Sequence, residues 1–230
     1  PFMFYANRGA THAEMVADAK TQLRREEAKW PYSWVNADGY APPDQRSEVT
    51  GRLALNDSHA KDSAIGSLTV GLSKTPYNIT TPFGAERTIE WQNDGKFNQY
   101  WAISTDPSGA FSIPSVPGGE YTLHAYREGV LGEFEKTGVI VGEGGVTKLG
   151  ELEWTPASFG ETVFEVGVAD RSAKEFRGGE RYFEPGIQLE FPEKFPSGVD
   201  YHVGVSGPED WFFAHAPTAI EGTDYEIRAF

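Results

Sequence analysis

Three basic side chains occur close together in the segment DRSAKEFR, which spans 170–177. They are Arg171, Lys174 and Arg177, and Phe176 stands between the last two. Such a cluster can bind the carboxylate or hydroxyl groups of a sugar, or it can hold a surface loop in place. We take these three residues and Trp211 as the candidate carbohydrate-binding residues, with loop orientation as the structural alternative.

Aromatic residues are concentrated at two places. The segment DWFFAH spans 210–215 and includes Trp211, and the segment WPYSWV spans 30–35. Aromatic rings stack on sugar rings, but they fill the core of a β-sandwich equally well. Core packing is the expected role of 210–215, with Trp211 as the exception. Packing between a helix and the sandwich is the expected role of 30–35, with sugar stacking as the alternative.

The sequence contains no recognisable active-site or metal-site signature. No G-x-S-x-G motif of a serine hydrolase occurs, and the glycine-rich segment 142–145 lacks the Lys-Ser/Thr of a phosphate loop, so a hairpin turn is expected there. No glycosidase pair can be assigned among the 34 carboxylates, because sequence spacing does not give distances in a sheet. No catalytic residue, metal ligand or cofactor is therefore assigned, and Ca²⁺ binding is left open. The five histidines lack metal-ligand spacing; they are His12, His59, His124, His202 and His215.

The composition limits the partners of the protein. The chain has 230 residues and a formal net charge of −14, which disfavours nucleic acid and anionic membrane surfaces. No apolar run approaches the roughly 20 residues of a membrane-spanning helix. Cysteine is absent, so disulfides do not indicate the compartment. Two glycosylation sequons, at Asn56 and Asn78, lie in turn-like surroundings and indicate a secreted, extracellular glycoprotein.

One helix is predicted near the start of the chain. Thr11 and Glu14 have the spacing of a capping box. Val16 and Leu23 then fall on one face of the helix, and Pro31 ends the pattern.

Alternating hydrophobic residues predict a β-sandwich in the middle of the chain. The stretch 100–132 contains three strand patterns separated by turns at 106–109 and 117–119, which indicates a β-meander. Residues 74–98 are expected to form a long polar connection between strands, here called the polar excursion. Further strand patterns span 49–55, 68–72, 139–141 and 147–152. About seven strands over about a hundred residues is a common size for an immunoglobulin-like or fibronectin III-like domain.

The last part of the chain shows weaker patterns. Strands are predicted at 163–168, 201–205 and 225–230, with a surface loop rich in Gly, Pro and Phe over 177–198. With the central sandwich and the single helix, these patterns predict an all-β protein.

Seven segments, in order along the chain, resemble the non-catalytic part of the rhamnogalacturonan endolyases, which form polysaccharide lyase family 4. Pieces such as SIPSVPGGEYTL are generic, whereas WPYSWV, VLGEF and VADRSAKEFR are more specific. The segments are EEAKWPYSWV (26–35), VTGRLAL (49–55), WQNDGKFNQYWAIS (91–104), GAFSIPSVPGGEYTLHAYREGVLGEF (109–134), LGELEW (149–154), FEVGVADRSAKEFRGG (164–179) and FPSGVDYHVGVSGPEDWFFAHA (195–216).

The resemblance implies a three-part enzyme. Residues 1–45 then correspond to the end of a catalytic domain with its connecting helix and linker. Residues 46–154 correspond to a fibronectin III-like sandwich, and residues 155–230 to a partial jelly-roll domain similar to carbohydrate-binding modules. The N-terminal catalytic domain and the missing C-terminal strands of the same protein become expected partners. The loop 181–194 follows the family pattern only loosely.

The resemblance also implies a chemistry. The family cleaves the rhamnogalacturonan I backbone of pectin by β-elimination, in which a base removes the proton beside the uronate carboxylate. No segment here matches the region that holds the family's catalytic lysine and histidine. The chain is therefore expected to be a non-catalytic, pectin-binding region of a secreted lyase. The alternatives are a stand-alone carbohydrate-binding or adhesion module without enzyme activity, and a purely structural transthyretin-like module.

Overall fold

The computed structural model of the chain describes residues 4–57, 67–161, 163–168, 172–184 and 186–213. Arg171, His59, His215 and the predicted strand at 225–230 lie outside the described residues. The chain divides into two compact units. The first comprises Pro1–Leu55, Leu68–Ala125 and Phe134–Trp154, and the second comprises Asn56–Ser67, Tyr126–Glu133 and Thr155–Phe230. Within the described ranges, no helix is both long and apolar enough to cross a membrane.

Helix α1 (His12–Glu27) confirms the predicted helix and its cap. The hydroxyl oxygen of Thr11 accepts a hydrogen bond from the backbone N–H of Glu14 at 3.2 Å. The Glu14 carboxylate in turn accepts one from the N–H of Thr11 at 3.3 Å. These bonds satisfy donors that have no partner inside the first helical turn. The predicted apolar face is not buried, because Val16 and Leu23 are both exposed.

In the described residues, nine strands form three sheets. The three-stranded sheet has the order β6-β1-β9, the four-stranded sheet has the order β5-β2-β7-β8, and β3 pairs with β4. The pair β1–β9 is parallel. The predicted all-β class with one main helix is confirmed. The strands are β1 (Arg46–Leu55), β2 (Leu68–Lys74), β3 (Tyr77–Thr80), β4 (Glu86–Ile89), β5 (Gln99–Ser104), β6 (Ala110–Pro117), β7 (Gly119–Arg127), β8 (Phe134–Val141) and β9 (Val146–Trp154).

The core of the first unit is mainly aliphatic and takes side chains from both larger sheets. On β6, Phe111 and Ile113 are buried and Ser112 between them is exposed, as a period of two requires. Each fully buried aliphatic side chain stabilises the fold by about 1.5–3 kcal/mol relative to an exposed one. The other large apolar side chains with almost no exposure are Val49, Leu68, Val70, Leu72, Val116 and Leu123.

The predicted β-meander is wrong in its connectivity. Strands β5 and β7 belong to the four-stranded sheet, whereas β6 between them belongs to the three-stranded sheet. Both connecting turns therefore pass from one sheet to the other. The first turn still closes with the expected bond, from the N–H of Gly109 to the Asp106 carbonyl at 3.0 Å. The period of two indicates the buried side chains of β6, whereas on β7 all five side chains from 121 to 125 are buried, and in neither strand does it indicate which strand is the neighbour.

The glycine-rich turn at 142–145 is not a hairpin, contrary to the prediction. It connects β8 in the four-stranded sheet to β9 in the three-stranded sheet. The buried Ser47 hydroxyl lies 2.7 Å from the Gly142 carbonyl oxygen and 2.9 Å from that of Gly144. These contacts hold the turn against the start of β1, beside which β9 then runs in parallel. The local glycine pattern contains no information about Ser47, which is distant in the sequence.

A hairpin occupies part of the predicted polar excursion at 74–98. Strands β3 and β4 pair in antiparallel register, with Asn78 opposite Thr88. Each strand has only four residues and is mostly exposed. Strand β3 (YNIT) alternates apolar and polar residues, but β4 (ERTI) does not, so the sequence did not indicate a hairpin. The sequon residue Asn78 therefore lies on a strand and not in a turn. The other sequon residue, Asn56, directly follows β1 and is exposed.

Beyond β9, the described residues form short helical turns and one isolated backbone bridge, between Arg177 and Phe212. The strands predicted at 163–168 and 201–205 are therefore wrong. Each segment contains a glycine with positive φ, Gly167 at 85° and Gly204 at 82°, and neither segment pairs with another strand within the described residues. The predicted loop 177–198 includes helix α2 (Phe191–Lys194). The jelly-roll architecture stays a prediction.

Candidate functional site

Arg177 and Trp211, two of the predicted binding residues, are brought together by backbone hydrogen bonds. The N–H of Arg177 donates to the Trp211 carbonyl at 3.1 Å, and the N–H of Phe213 donates to the Arg177 carbonyl at 2.8 Å. The Trp211 indole is 40% exposed, and its ring centroid lies 5.2 Å from that of Tyr201. This pair forms a partly exposed aromatic surface next to Arg177.

The Arg177 guanidinium lies over an aromatic group. Its Cζ atom is 4.9 Å from the ring centroid of Phe195. Phe195 in turn stacks on Phe191 at 5.4 Å and meets Phe212 edge-on at 6.2 Å. An exposed cation–π contact contributes about 0.5–1 kcal/mol. The Arg177 side chain therefore makes a structural contact within the second unit, and its role in carbohydrate binding stays a prediction.

A small pocket of about 160 Å³ lies in the same unit. The predicted residue Lys174 lines it, together with Phe176. Two further cations, Arg181 and Lys194, and one carboxylate, Glu180, also face it. Three cations therefore line a pocket on a chain with a net charge of −14, together with this one carboxylate. The volume suits a carboxylate group or the edge of one sugar ring, since pockets that enclose a whole drug-sized ligand measure about 300–1,000 Å³.

Carboxylates already hold two of these cations. The Lys194 ammonium lies 2.7 Å from Glu190, and the Arg181 guanidinium lies 2.6 Å from Glu184 and 3.0 Å from Glu190. The hydrogen bond from Lys194 lowers the pKa of Glu190, and the hydrogen bond from Arg181 lowers the pKa of Glu184. Lys174 has no ion pair or hydrogen bond within the described part of the chain. Its ammonium group is therefore available to an anionic ligand.

Sequence reasoning missed Arg181, Lys194 and Phe195. All three lie within or beside the stretch 181–194, which showed no regular pattern. A usable signal was present, because Arg181 and Glu184 have i,i+3 spacing and Glu190 and Lys194 have i,i+4 spacing, as ion pairs on helical turns do. The fourth predicted residue, Arg171, lies outside the described ranges.

A larger cavity of about 780 Å³ belongs to the second unit and has a different character. Its described lining is acidic and apolar, with Asp57, Glu161, Glu165, Leu131 and Phe159 among its residues and no cation. Like charges would repel an acidic polysaccharide there. In the described ranges, no group of three His, Cys, Asp or Glu side chains could hold a metal ion.

The buried His124 packs in the core. Its Nε2 atom lies 2.9 Å from the Ser73 hydroxyl oxygen, and its Nδ1 atom lies 4.0 Å from the Glu135 carboxylate. Ser73, His124 and Glu135 thus lie in the same spatial sequence of hydroxyl, imidazole and carboxylate as a serine hydrolase triad. However, Ser73 and His124 are only 1% and 4% exposed, so a substrate cannot reach the hydroxyl. The hydrogen bond satisfies a polar group in the core.

Two sequence models of one enzyme family match the chain. The model described as polysaccharide lyase family 4, domain II, matches residues 72–149, and that of domain III matches residues 162–228. Together they match more than half of the chain. The chain belongs to polysaccharide lyase family 4. The domain II match covers most strands of the first unit, and the domain III match contains the pocket of Lys174.

Relatives of this family member are rhamnogalacturonate lyases. One from Dickeya dadantii (strain 3937) is 32% identical over 218 residues, which are 93% of this chain and 32% of the relative. Rhamnogalacturonate lyase B of Emericella nidulans is 32% identical over 74% of this chain and 25% of its own length. A probable rhamnogalacturonate lyase B of Aspergillus fumigatus is 30% identical over 90% of this chain and 31% of its own length. The chain thus spans about a third or less of these relatives.

Proposed function

We propose that this chain is the non-catalytic region of a secreted, extracellular rhamnogalacturonan endolyase, and that its second unit binds the uronate-bearing backbone of pectin. The parent enzyme would cleave that backbone by β-elimination. Membership in polysaccharide lyase family 4 and the names of the relatives support this assignment. The proposed partners are the polysaccharide, an N-terminal catalytic domain and the C-terminal strands of the same protein. The proposal includes no cofactor, nucleic acid or membrane.

The observation that carries the binding role is the unpaired ammonium group of Lys174 at a pocket that Arg181 and Lys194 also line. A chain with net charge −14 repels a polyanion as a whole, so binding requires a local positive site. Lys174 can pair with one uronate carboxylate, while the exposed surface of Trp211 and Tyr201 can stack on a sugar ring. Charge pairing and stacking together suit a polymer that alternates acidic and neutral sugars.

The first test is the affinity of the chain for rhamnogalacturonan I backbone oligosaccharides, measured by isothermal titration calorimetry. We expect Lys174→Ala to weaken binding about fivefold, because an exposed charge pair contributes about 1 kcal/mol. The matched control is Lys148→Ala, which removes an exposed lysine of β9 in the first unit. It should leave the affinity unchanged. Raising the salt concentration should weaken wild-type binding more than that of the Lys174 variant, because salt screens the exposed pair.

Equal affinities of the wild type and Lys174→Ala would overturn the role of this pocket. A wild-type chain without measurable affinity for these oligosaccharides would overturn the binding role of the second unit as a whole. An equal loss in both lysine variants would show a general charge effect, which also contradicts a specific site.

A further inference from the structure

The carboxylate of Glu190 bridges two of the three cations that line the Lys174 pocket. One of its oxygens lies 3.0 Å from the Arg181 guanidinium, and the other lies 2.7 Å from the Lys194 ammonium. One carboxylate shared between two cations is also the contact that a uronate carboxylate would make with them. Glu190 therefore holds the same cations that an anionic ligand of this pocket would use.

The local backbone places Glu190 between these two cations. Glu190 is the last residue of the helical turn Ile187–Glu190 and directly precedes α2. Ile187, at the start of that turn, is buried and anchors it. Glu190 and Lys194 have i,i+4 spacing, which brings two side chains together on a helix. The bridge is therefore built into this part of the second unit before a ligand arrives.

The charges at the pocket are balanced in the absence of a ligand. Besides Glu190, which pairs with two cations, Glu184 pairs with Arg181 and Glu180 lines the pocket. Carboxylates that line the pocket or pair with its cations thus equal those cations in number. An approaching uronate therefore meets no excess of positive charge there. It can pair directly with Lys174, but it gains further cations only by exchange with a carboxylate of the protein.

We propose that Glu190 is an internal competitor of the ligand, and that it sets the affinity of the Lys174 pocket for the uronate carboxylates of pectin. The inference rests on the proposed function and adds to it the residue that limits the strength of binding. A uronate that pairs with Lys174 gains contact with Lys194 or Arg181 only where Glu190 gives up an ion pair. Removal of the Glu190 charge should therefore strengthen binding.

Glu190 is ionised under the conditions in which sugar carboxylates are ionised. The hydrogen bond from Lys194 lowers the pKa of Glu190 from its ordinary value of 4.5. The competition is thus between two carboxylates, and it persists at neutral and mildly acidic pH. Both ion pairs of Glu190 are partly exposed, so each is weak enough for a ligand to exchange with it.

The test uses the full 230-residue chain and two ligands, rhamnogalacturonan I backbone oligosaccharides and monomeric galacturonate. Calorimetry measures binding of the oligosaccharides, and nuclear magnetic resonance titration measures the weaker binding of the monosaccharide. We expect Glu190→Gln to strengthen binding of both ligands about fivefold, because the amide keeps the size of the side chain and releases both cations. The gain should be much smaller in a Lys194→Ala background, since Glu184 still holds Arg181.

Glu180→Gln is the matched control. It removes the same charge from the same pocket, but Glu180 has no ion pair with the cations there in the described part of the chain. We expect it to change the affinity less than about twofold. Because Glu190 is partly exposed and glutamine has nearly the same shape, Glu190→Gln should keep the fold, and an unchanged circular dichroism spectrum would verify this.

The outcomes separate this inference from the proposed function. Equal affinities of the wild type and Glu190→Gln, or equal gains in Glu190→Gln and Glu180→Gln, would overturn the inference, while a loss in Lys174→Ala would still support the proposed function. Tighter galacturonate binding by Glu190→Gln, with no protein binding the oligosaccharides, would support the inference and contradict the proposed function. Failure of both the wild type and Glu190→Gln to bind either ligand would contradict both.

Discussion

The side chain of Tyr121 illustrates how burial changes the chemistry of one residue. It is 8% exposed, its hydroxyl donates to the Pro117 carbonyl at 2.9 Å, and its ring meets Tyr100 edge-on. Burial raises the pKa of Tyr121 to about 12, above the ordinary value of 10.0. The folded state therefore keeps the phenol protonated at pH values where the unfolded state ionises it. The resulting stabilisation is complete below about pH 10 and is lost as the pH rises through about 12.

We predict that Tyr121→Phe makes stability less dependent on pH between about 10 and 12. The wild type should lose about 3 kcal/mol of unfolding free energy across this range through Tyr121. At neutral pH the variant should be about 1 kcal/mol less stable, because it lacks the hydrogen bond to Pro117. Urea unfolding at a series of pH values measures both effects. The control Tyr182→Phe alters an exposed tyrosine, and its stability should depend on pH as that of the wild type does. Parallel plots of unfolding free energy against pH for Tyr121→Phe and the wild type would contradict the prediction.

At the scale of the element, helix α1 is stabilised at its first turn by its cap and not by burial of its side chains. No residue of α1 is buried, so its first turn depends on local interactions, chiefly the capping box of Thr11 and Glu14. We predict that Thr11→Ala destabilises the first turn by about 1 kcal/mol. Faster amide hydrogen exchange at the start of the helix would report this loss, with the global unfolding midpoint nearly unchanged.

Thr21→Ala is the matched control in the same helix. The Thr21 hydroxyl donates to the Ala17 carbonyl at 2.9 Å, a bond inside the helix that does not close its terminus. Since alanine has the higher helix propensity, this variant should keep or slow the exchange of the helix. Equal effects of the two substitutions would mean that capping does not stabilise α1.

The elements also show why strands were easier to predict than sheets. The alternation of β6 and β7 depends on side chains a few positions apart, and it predicted both strands. Their membership of different sheets depends on partners far away in the chain, because β6 pairs with β1 whereas β7 pairs with β2. The same limit applied to 163–168, where the apolar pattern suited a strand but the segment has no partner strand among the described residues.

At the scale of the whole molecule, the central prediction is that the 230-residue chain does not cleave rhamnogalacturonan by itself. We expect no rise in the ultraviolet absorbance of the unsaturated uronate when the pure chain is mixed with the rhamnogalacturonan I backbone. A full-length relative such as the Dickeya dadantii lyase serves as the positive control. A rise with the chain alone would contradict the non-catalytic assignment. A flat trace without any oligosaccharide binding would instead favour a structural module.

The sequence by itself determined the all-β class, the helix with its cap, most strands of the first unit and membership in polysaccharide lyase family 4. These depend on local periodicity or on order along the chain. Only the tertiary structure decided which strands share a sheet and which cations surround Lys174. It also showed that the indoles of Trp30 and Trp34 are exposed. Those properties depend on contacts between distant residues, and a spacing along the chain does not specify a distance in space.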